Sequence, residues 1–182
     1  MTIEPKRPIS LTSRSEDTGS RTTLDNGDLH LLLTTPGSLF SMISELPHAM
    51  EVIQHQADSM RVDVMALNKA IPRFSLQADM GKSNFAAQYL ESSGIKLGGV
   101  SALLSNDSLI SLNTTVTDIV SGSTRIDTIR LNAIQHREYL VYHASMNNRP
   151  GTFDDFAHVT LNGFAGFNRA SVFLKQENIK GK

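Results

Sequence analysis

The stretch HAMEVIQHQADSMRVDVMALNKAIP, residues 48–72, constrains the fold more than any other part of the chain. Met50, Ile53, Ala57, Met60, Val64, Leu67 and Ile71 recur at alternating spacings of three and four. That rhythm describes one apolar seam along an α-helix. Pro47 suits a first helical turn, where its missing N–H has no partner to lose. Pro72 disfavours helical backbone at the residue before it. The spacing therefore predicts a helix over about 46–71, roughly 37 Å long at the standard rise. The same rhythm reaches back through Leu46, Ile43 and Leu39, and Pro47 marks that part as a separate turn or short helix.

Two kinds of partner satisfy such a seam. In a coiled coil, Met50, Ala57, Val64 and Ile71 hold one seam position and Ile53, Met60 and Leu67 the other. Gln54, Gln56, Arg61, Asp63 and Asn68 then supply polar flanks. In a globular core, the off-seam Val52, Val62 and Met65 provide the wider stripe that packing requires.

Around this helix the chain divides into three parts. Residues 1–24 are rich in Ser and Thr with few apolar side chains, and they read as a flexible arm or an arm that orders on a partner. Residues 25–104 form a helical region, opened by the turn Asp25-Asn26-Gly27-Asp28 and a short strand from Leu29 to Leu33. A short strand after Pro72 and a helix over about 82–92, ended by Gly94, follow the main helix. Residues 105–182 form a β-rich region: 105–135 fit helix or strand, most of 124–146 is extended, and two strands surround Gly163 and Gly166. The expected class is α+β, a long helix in the N-terminal half followed by a β-rich C-terminal region.

Charge and composition remove whole classes of function. Charged residues make up 19% of the chain and the net charge is −1, which gives no electrostatic reason to expect nucleic acid or an anionic membrane surface. No cysteine is present, so disulfides and thiolate metal sites are excluded. No apolar run approaches the roughly 18 residues of a membrane span, and no apolar h-region follows the basic N-terminal residues. The expectation is a protein made in the cytoplasm without a signal peptide.

The candidate chemical motifs are weak. MGKS at 80–83 lacks the glycine that a phosphate-binding loop needs five residues before its Gly-Lys pair, because Leu76 stands there. Gly81 and Lys82 thus read as a turn and a solvated lysine. His48 and His55 share a helix face but stand about 10.5 Å apart along the axis, too far to chelate one ion. His136 and Glu138 would share a strand face, with His143 on the other. Asp154-Asp155 could assist a Ca²⁺ site but are more simply solvated loop residues. HExxH and GxSxG are absent. No catalytic residue, cofactor or metal ligand is assigned. Phe153, Phe156, Phe164, Phe167 and Phe173 concentrate near the C-terminus, as the core of a β unit or as interface aromatics.

Arm, heptad stalk and β-rich end together resemble short bacteriophage fibre, spike and tail-associated virion proteins. This resemblance is one of layout, and no residue is carried over from it. It implies a non-enzymatic structural or attachment protein in a virion, a homo-oligomer and specifically a trimer, partnered by itself and by other structural proteins. A globular adaptor or assembly factor with the long helix as its core is the alternative. An enzyme with a dispersed site is the third reading.

Overall fold

In stretches such as Ile129–Ala133 apolar and polar residues alternate, and that two-residue rhythm organises the sheet. The computed structural model describes residues 7–148 and 158–177. Its strands are β1 (Ser10–Glu16), β2 (Gly19–Asn26), β3 (Leu29–Thr35), β4 (Ser75–Met80), β5 (Ile95–Lys96) and β6 (Gly99–Asn106). They continue as β7 (Ile110–Ser121), β8 (Thr124–His136), β9 (Tyr139–Asn147), β10 (His158–Gly166) and β11 (Ala170–Glu177). All belong to one antiparallel sheet, in the order β1-β2-β3-β4-β6-β7-β8-β9-β10-β11, with β5 beside the end of β7. Two helical insertions interrupt this meander. Helices α1 (Leu39–Asp58) and α2 (Val64–Ala70) lie between β3 and β4, and α3 (Phe85–Ser92) precedes β5.

The strand register sorts the side chains onto two unlike faces. One face carries Leu29, Leu31 and Leu33 beside Met80, Ala78 and Leu76. It continues through Leu104, Leu112 and Ala133 to Leu131, Ala144 and Leu161. The opposite face carries Gln77, Asp79, Asn113, Arg130, Asn132 and His143. A sheet of this pattern has one face to cover and one to leave in water.

The expected α+β layout with a long helix and coiled coil is overturned. The molecule is mostly antiparallel sheet, and no helix spans 46–71. Helix α1 starts earlier, where the Ser38 side chain accepts a bond from the Ser41 amide at 3.0 Å, and it continues through Pro47. It stops at Asp58, and Met60 adopts a left-handed φ of 52°. The Gln56 side chain then clamps Asp63, accepting from its amide at 2.8 Å and donating to its carbonyl at 3.1 Å. Asp63 in turn caps α2 by accepting from the Ala66 amide at 2.9 Å. The seam is therefore split across two helices that pack on each other. Pro72 marks the end of this unit as expected, with α2 closing at Ala70. Residues 10–24, read as part of an arm, lie in β1, β2 and the turn between them. The ambiguous stretch 105–135 contributes to β6, β7 and β8.

Among the described residues, few apolar side chains are buried: Leu29, Ala49, Val64, Ala133 and Pro72. Asn26, Asn84 and Asn106 are as deeply buried as any of them, and these asparagines pin the helices to the sheet. At the end of the sheet where β6 finishes, Asn106 donates to the carbonyls of Asn68 (3.1 Å) and Ile71 (2.7 Å). Asn68 of α2 donates back to Asn106 Oδ1 at 3.0 Å and to Gln135 Oε1 at 2.8 Å. At the other end, Asn84 caps α3, and Asn26 Oδ1 accepts from the Phe85 amide at 2.8 Å.

Asn106→Ala strands the carbonyls that end α2 and removes a partner of Asn68. A loss of about 3 kcal/mol is expected in urea unfolding, at the upper end for buried groups left unsatisfied. Substitution of the exposed Asn132 by Ala should change the midpoint far less.

Candidate functional site

Breaking the seam turns its two halves onto a single cavity. Ile53 and Ala57 come from α1, Met60 from the loop after it, Val64 and Leu67 from α2, and Ile71 from its end. These six seam residues line an open cavity of about 480 Å³, with Ile110 of β7 and Leu140 of β9 on the sheet side and Met60 largely exposed at its mouth. Met50, the remaining seam residue, is 61% exposed on α1 beyond the cavity. Ile110 and Leu140 both flank Gln135 on the apolar face of the sheet.

Polar bonds fix where these apolar walls stand. Gln56 locks the turn after α1, and Asn68 and Gln135 fix α2 against the end of the sheet. Gln135 also donates to the Met65 sulfur at 3.5 Å. The walls are thus set by amide geometry and not by mutual collapse of their side chains.

Gln56, Val62 and the exposed Arg61 also line the cavity. The Arg61 guanidinium stands 5.6 Å from the centre of the Phe167 ring, within cation–π range. Arg61 and Gln56 also border a neighbouring cavity of about 480 Å³, lined by His48, Glu51, Val52, His55, Ser59 and Asp63 among others. The two cavities thus share Gln56 and Arg61 at their border, the first lined almost wholly by apolar side chains and the second by apolar and charged ones together. Periodicity in the sequence identifies the apolar residues, but Arg61 shows no such signal because its role depends on the break.

The other candidates do not meet. Lys82 lies just past the end of β4, at the end of the sheet where β6 begins, whereas His136 closes β8 at the opposite end. Glu138 sits in the turn between β8 and β9, not on the strand face shared with His136. That two-residue turn returns His143 to the same polar face as His136, where its ring bonds Asn162. Among the described residues, no group of three or more His, Asp or Glu side chains could hold a metal ion. Asp154, Asp155, Phe153 and Phe156 lie outside the described residues. Phe164 packs edge-on against Tyr139 on the polar face, with ring centres 5.3 Å apart. Phe167 backs Arg61, and Phe173 is 63% exposed on β11, so these aromatics form no common core.

The MGKS loop does bind an anion, but one from its own chain. The Asp28 carboxylate accepts from the Ser83 amide at 2.9 Å and from Asn84 Nδ2 at 2.7 Å. A Cβ on Gly81 would lie 2.2 Å from Asp28 Oδ2, so glycine here permits close approach of the carboxylate. Gly27 has a φ of +65°, and a Cβ there would meet the Ser83 carbonyl oxygen at 2.0 Å. The turn and loop are built for each other.

No protein-family model, curated protein or solved structure matches the chain. Among the described residues, no helix is long and apolar enough to cross a membrane.

Partial burial of the Asp28 carboxyl pushes its pKa up, but the bonds from Asn84, Ser83 and Lys82 outweigh that and leave it below the ordinary 3.8. Folding therefore gains stability from ionised Asp28 above about pH 4, and the gain is lost as pH falls through its lowered pKa. Thermal unfolding between pH 2 and pH 6 should show a shallower acid limb for Asp28→Asn than for the wild type. Parallel limbs would show that this carboxylate is not coupled to folding.

Proposed function

We propose that this chain is a non-catalytic binding protein for an elongated apolar molecule of the fatty-acyl type. The hydrocarbon part occupies the cavity bounded by Ile53, Ala57, Met60, Leu67, Ile110 and Leu140. The polar end lies at the rim beside Arg61. One observation carries this reading: the apolar seam, split across α1 and α2, faces the apolar side of a sheet across open space. Its volume of about 480 Å³ falls among small-molecule sites, which run from about 300 to 1,000 Å³.

The chemistry of the walls selects the ligand class. Apolar side chains reward removal of hydrocarbon from water at about 25 cal/mol per Å², without demanding a particular pattern of donors. Specificity then rests on the rim. Arg61 is positively charged at any physiological pH, and its planar guanidinium suits a carboxylate. Asp63, the nearest acid in the chain, turns one carboxylate oxygen to the cap of α2, and Glu51 lines the adjoining cavity with Arg61. A polar metabolite would find few partners inside, since the Asn68, Asn106 and Gln135 amides are bonded to one another or to backbone.

Palmitate should displace an environment-sensitive fluorescent fatty acid from the wild-type protein. Ala57→Trp places a large side chain in the chamber and should weaken palmitate by about tenfold or more, ~1.4 kcal/mol, with the far-ultraviolet circular dichroism unchanged. Arg61→Gln should weaken palmitate while sparing the corresponding alcohol. A wild type that takes up neither fatty acid, or an Ala57→Trp protein that binds as the wild type does, overturns the proposal.

A further inference from the structure

The meander ends on a strand built to continue it. Among the described residues, β11 pairs only with β10, and all of its side chains are exposed. Val172, Phe173 and Leu174, at its centre, are 65, 63 and 63% exposed. The other edge strand, β1, has Leu11 as its one large apolar residue. An edge with three adjacent exposed apolar residues is costly to leave in water and invites another strand.

The backbone direction of β11 restricts what that strand can be. The Gly166 amide donates to the Arg169 carbonyl at 2.8 Å, closing the β10–β11 turn. Alternation from that pair turns the N–H and C=O groups of Ser171 and Phe173 towards β10, and those of Val172 and Leu174 outward. A second copy of β11 running antiparallel can use these groups in three closely related registers. Val172 opposite Val172 places Lys175 opposite Arg169, two like charges. Leu174 opposite Leu174 places the charged Lys175 opposite Phe173. Val172 opposite Leu174 places Glu177 opposite Arg169, and Phe173 opposite itself on the two-fold axis. Only the last joins unlike charges and matches apolar with apolar on both faces.

We propose that the chain forms a two-fold homodimer by antiparallel pairing of β11 with β11, in the register Val172 to Leu174. The contact is isologous, so it closes at two copies and leaves no β11 edge to recruit a third. About four central backbone hydrogen bonds form between the outward groups of Val172 and Leu174. On the apolar face Val172 and Leu174 of each copy abut the same pair from the other, and on the polar face the two Phe173 rings meet. Glu177, which binds Lys175 of its own strand, gains Arg169 of the second copy. The pairing involves no residue of the cavity, so it stands or falls separately from ligand binding.

Light scattering after size exclusion should give twice the 19.9 kDa chain mass at micromolar concentration. The absence of native cysteines allows a test of register. Phe173 lies on the two-fold axis at a non-hydrogen-bonded pair, where Cβ atoms are roughly 4.5–5.5 Å apart. Phe173→Cys should therefore yield a disulfide-linked dimer under mild oxidation, and Leu174→Cys should not. Leu174→Pro removes an outward N–H that the β10 ladder does not use, and it should give a folded monomer. Glu177→Arg should raise the dimer dissociation constant severalfold, and adding Arg169→Glu should restore it. A wild-type monomer throughout, a dimer that survives Leu174→Pro, or crosslinking at 174 in preference to 173 overturns the proposal.

Discussion

The contact on which the rest of the structure depends is the bond from Asn68 of α2 to Asn106 and Gln135 at the end of the sheet. With few fully buried apolar residues, hydrophobic burial alone does not place α2 uniquely over a broad apolar face. Apolar contact is non-directional and tolerates sliding. A buried amide tolerates none, because a donor or acceptor left without a partner there costs about 1–3 kcal/mol. The side chains of Asn68, Asn106 and Gln135 each serve two or more partners, so one displacement breaks several bonds at once. The mirror of this arrangement at the other end, around Asn26, Asp28 and Asn84, does the same for α3.

This division of labour explains why the cavity persists. Side chains free to move would close an apolar space between a helix and a sheet, since empty space forfeits dispersion contacts. Here the backbone on each side is held by polar bonds: Gln56 to Asp63 at the turn, and Asn68 to the sheet behind α2. Collapse would break them. The fold retains apolar surface at a defined place, which is the physical requirement for binding hydrocarbon from water.

Much of the local structure was legible in the sequence, and the main error has a specific cause. Asp25-Asn26-Gly27-Asp28 reads as a turn and is one, because Gly27 takes a positive φ that other residues resist. Leu29 to Leu33 forms a strand, and Pro72 follows the end of a helix. The apolar positions of the seam were equally visible, and six of the seven line one cavity. Hidden was the break after Asp58. Neither glycine nor proline marks it; Met60 takes a left-handed φ because the Gln56 side chain closes the turn from a distance of seven residues. A seven-residue rhythm continues across such a break, since a short loop can preserve which side of the chain is apolar. Arg61 and the amide cluster were illegible for a related reason. Asn68, Asn106 and Gln135 are far apart in the chain, and nothing local distinguishes a pinning asparagine from a solvated one.

The sheet's two unlike faces connect the ligand cavity to its edge strand. In the register of β9 to β11, Leu140 lies opposite Ala165 and Ala165 opposite Ala170, so the cavity borders the end where β11 begins. A two-fold axis through Phe173, perpendicular to the sheet, keeps the apolar faces of two copies on the same side. It also reverses strand direction, which places the two cavities at opposite ends of the joined sheet. Val172 and Leu174 would make that apolar face continuous from one copy to the next while leaving both chambers open. Pairing through the edge therefore covers the most exposed apolar strand without competing for the surface that binds hydrocarbon, and a single amphipathic sheet can serve both purposes because each uses a different part of it.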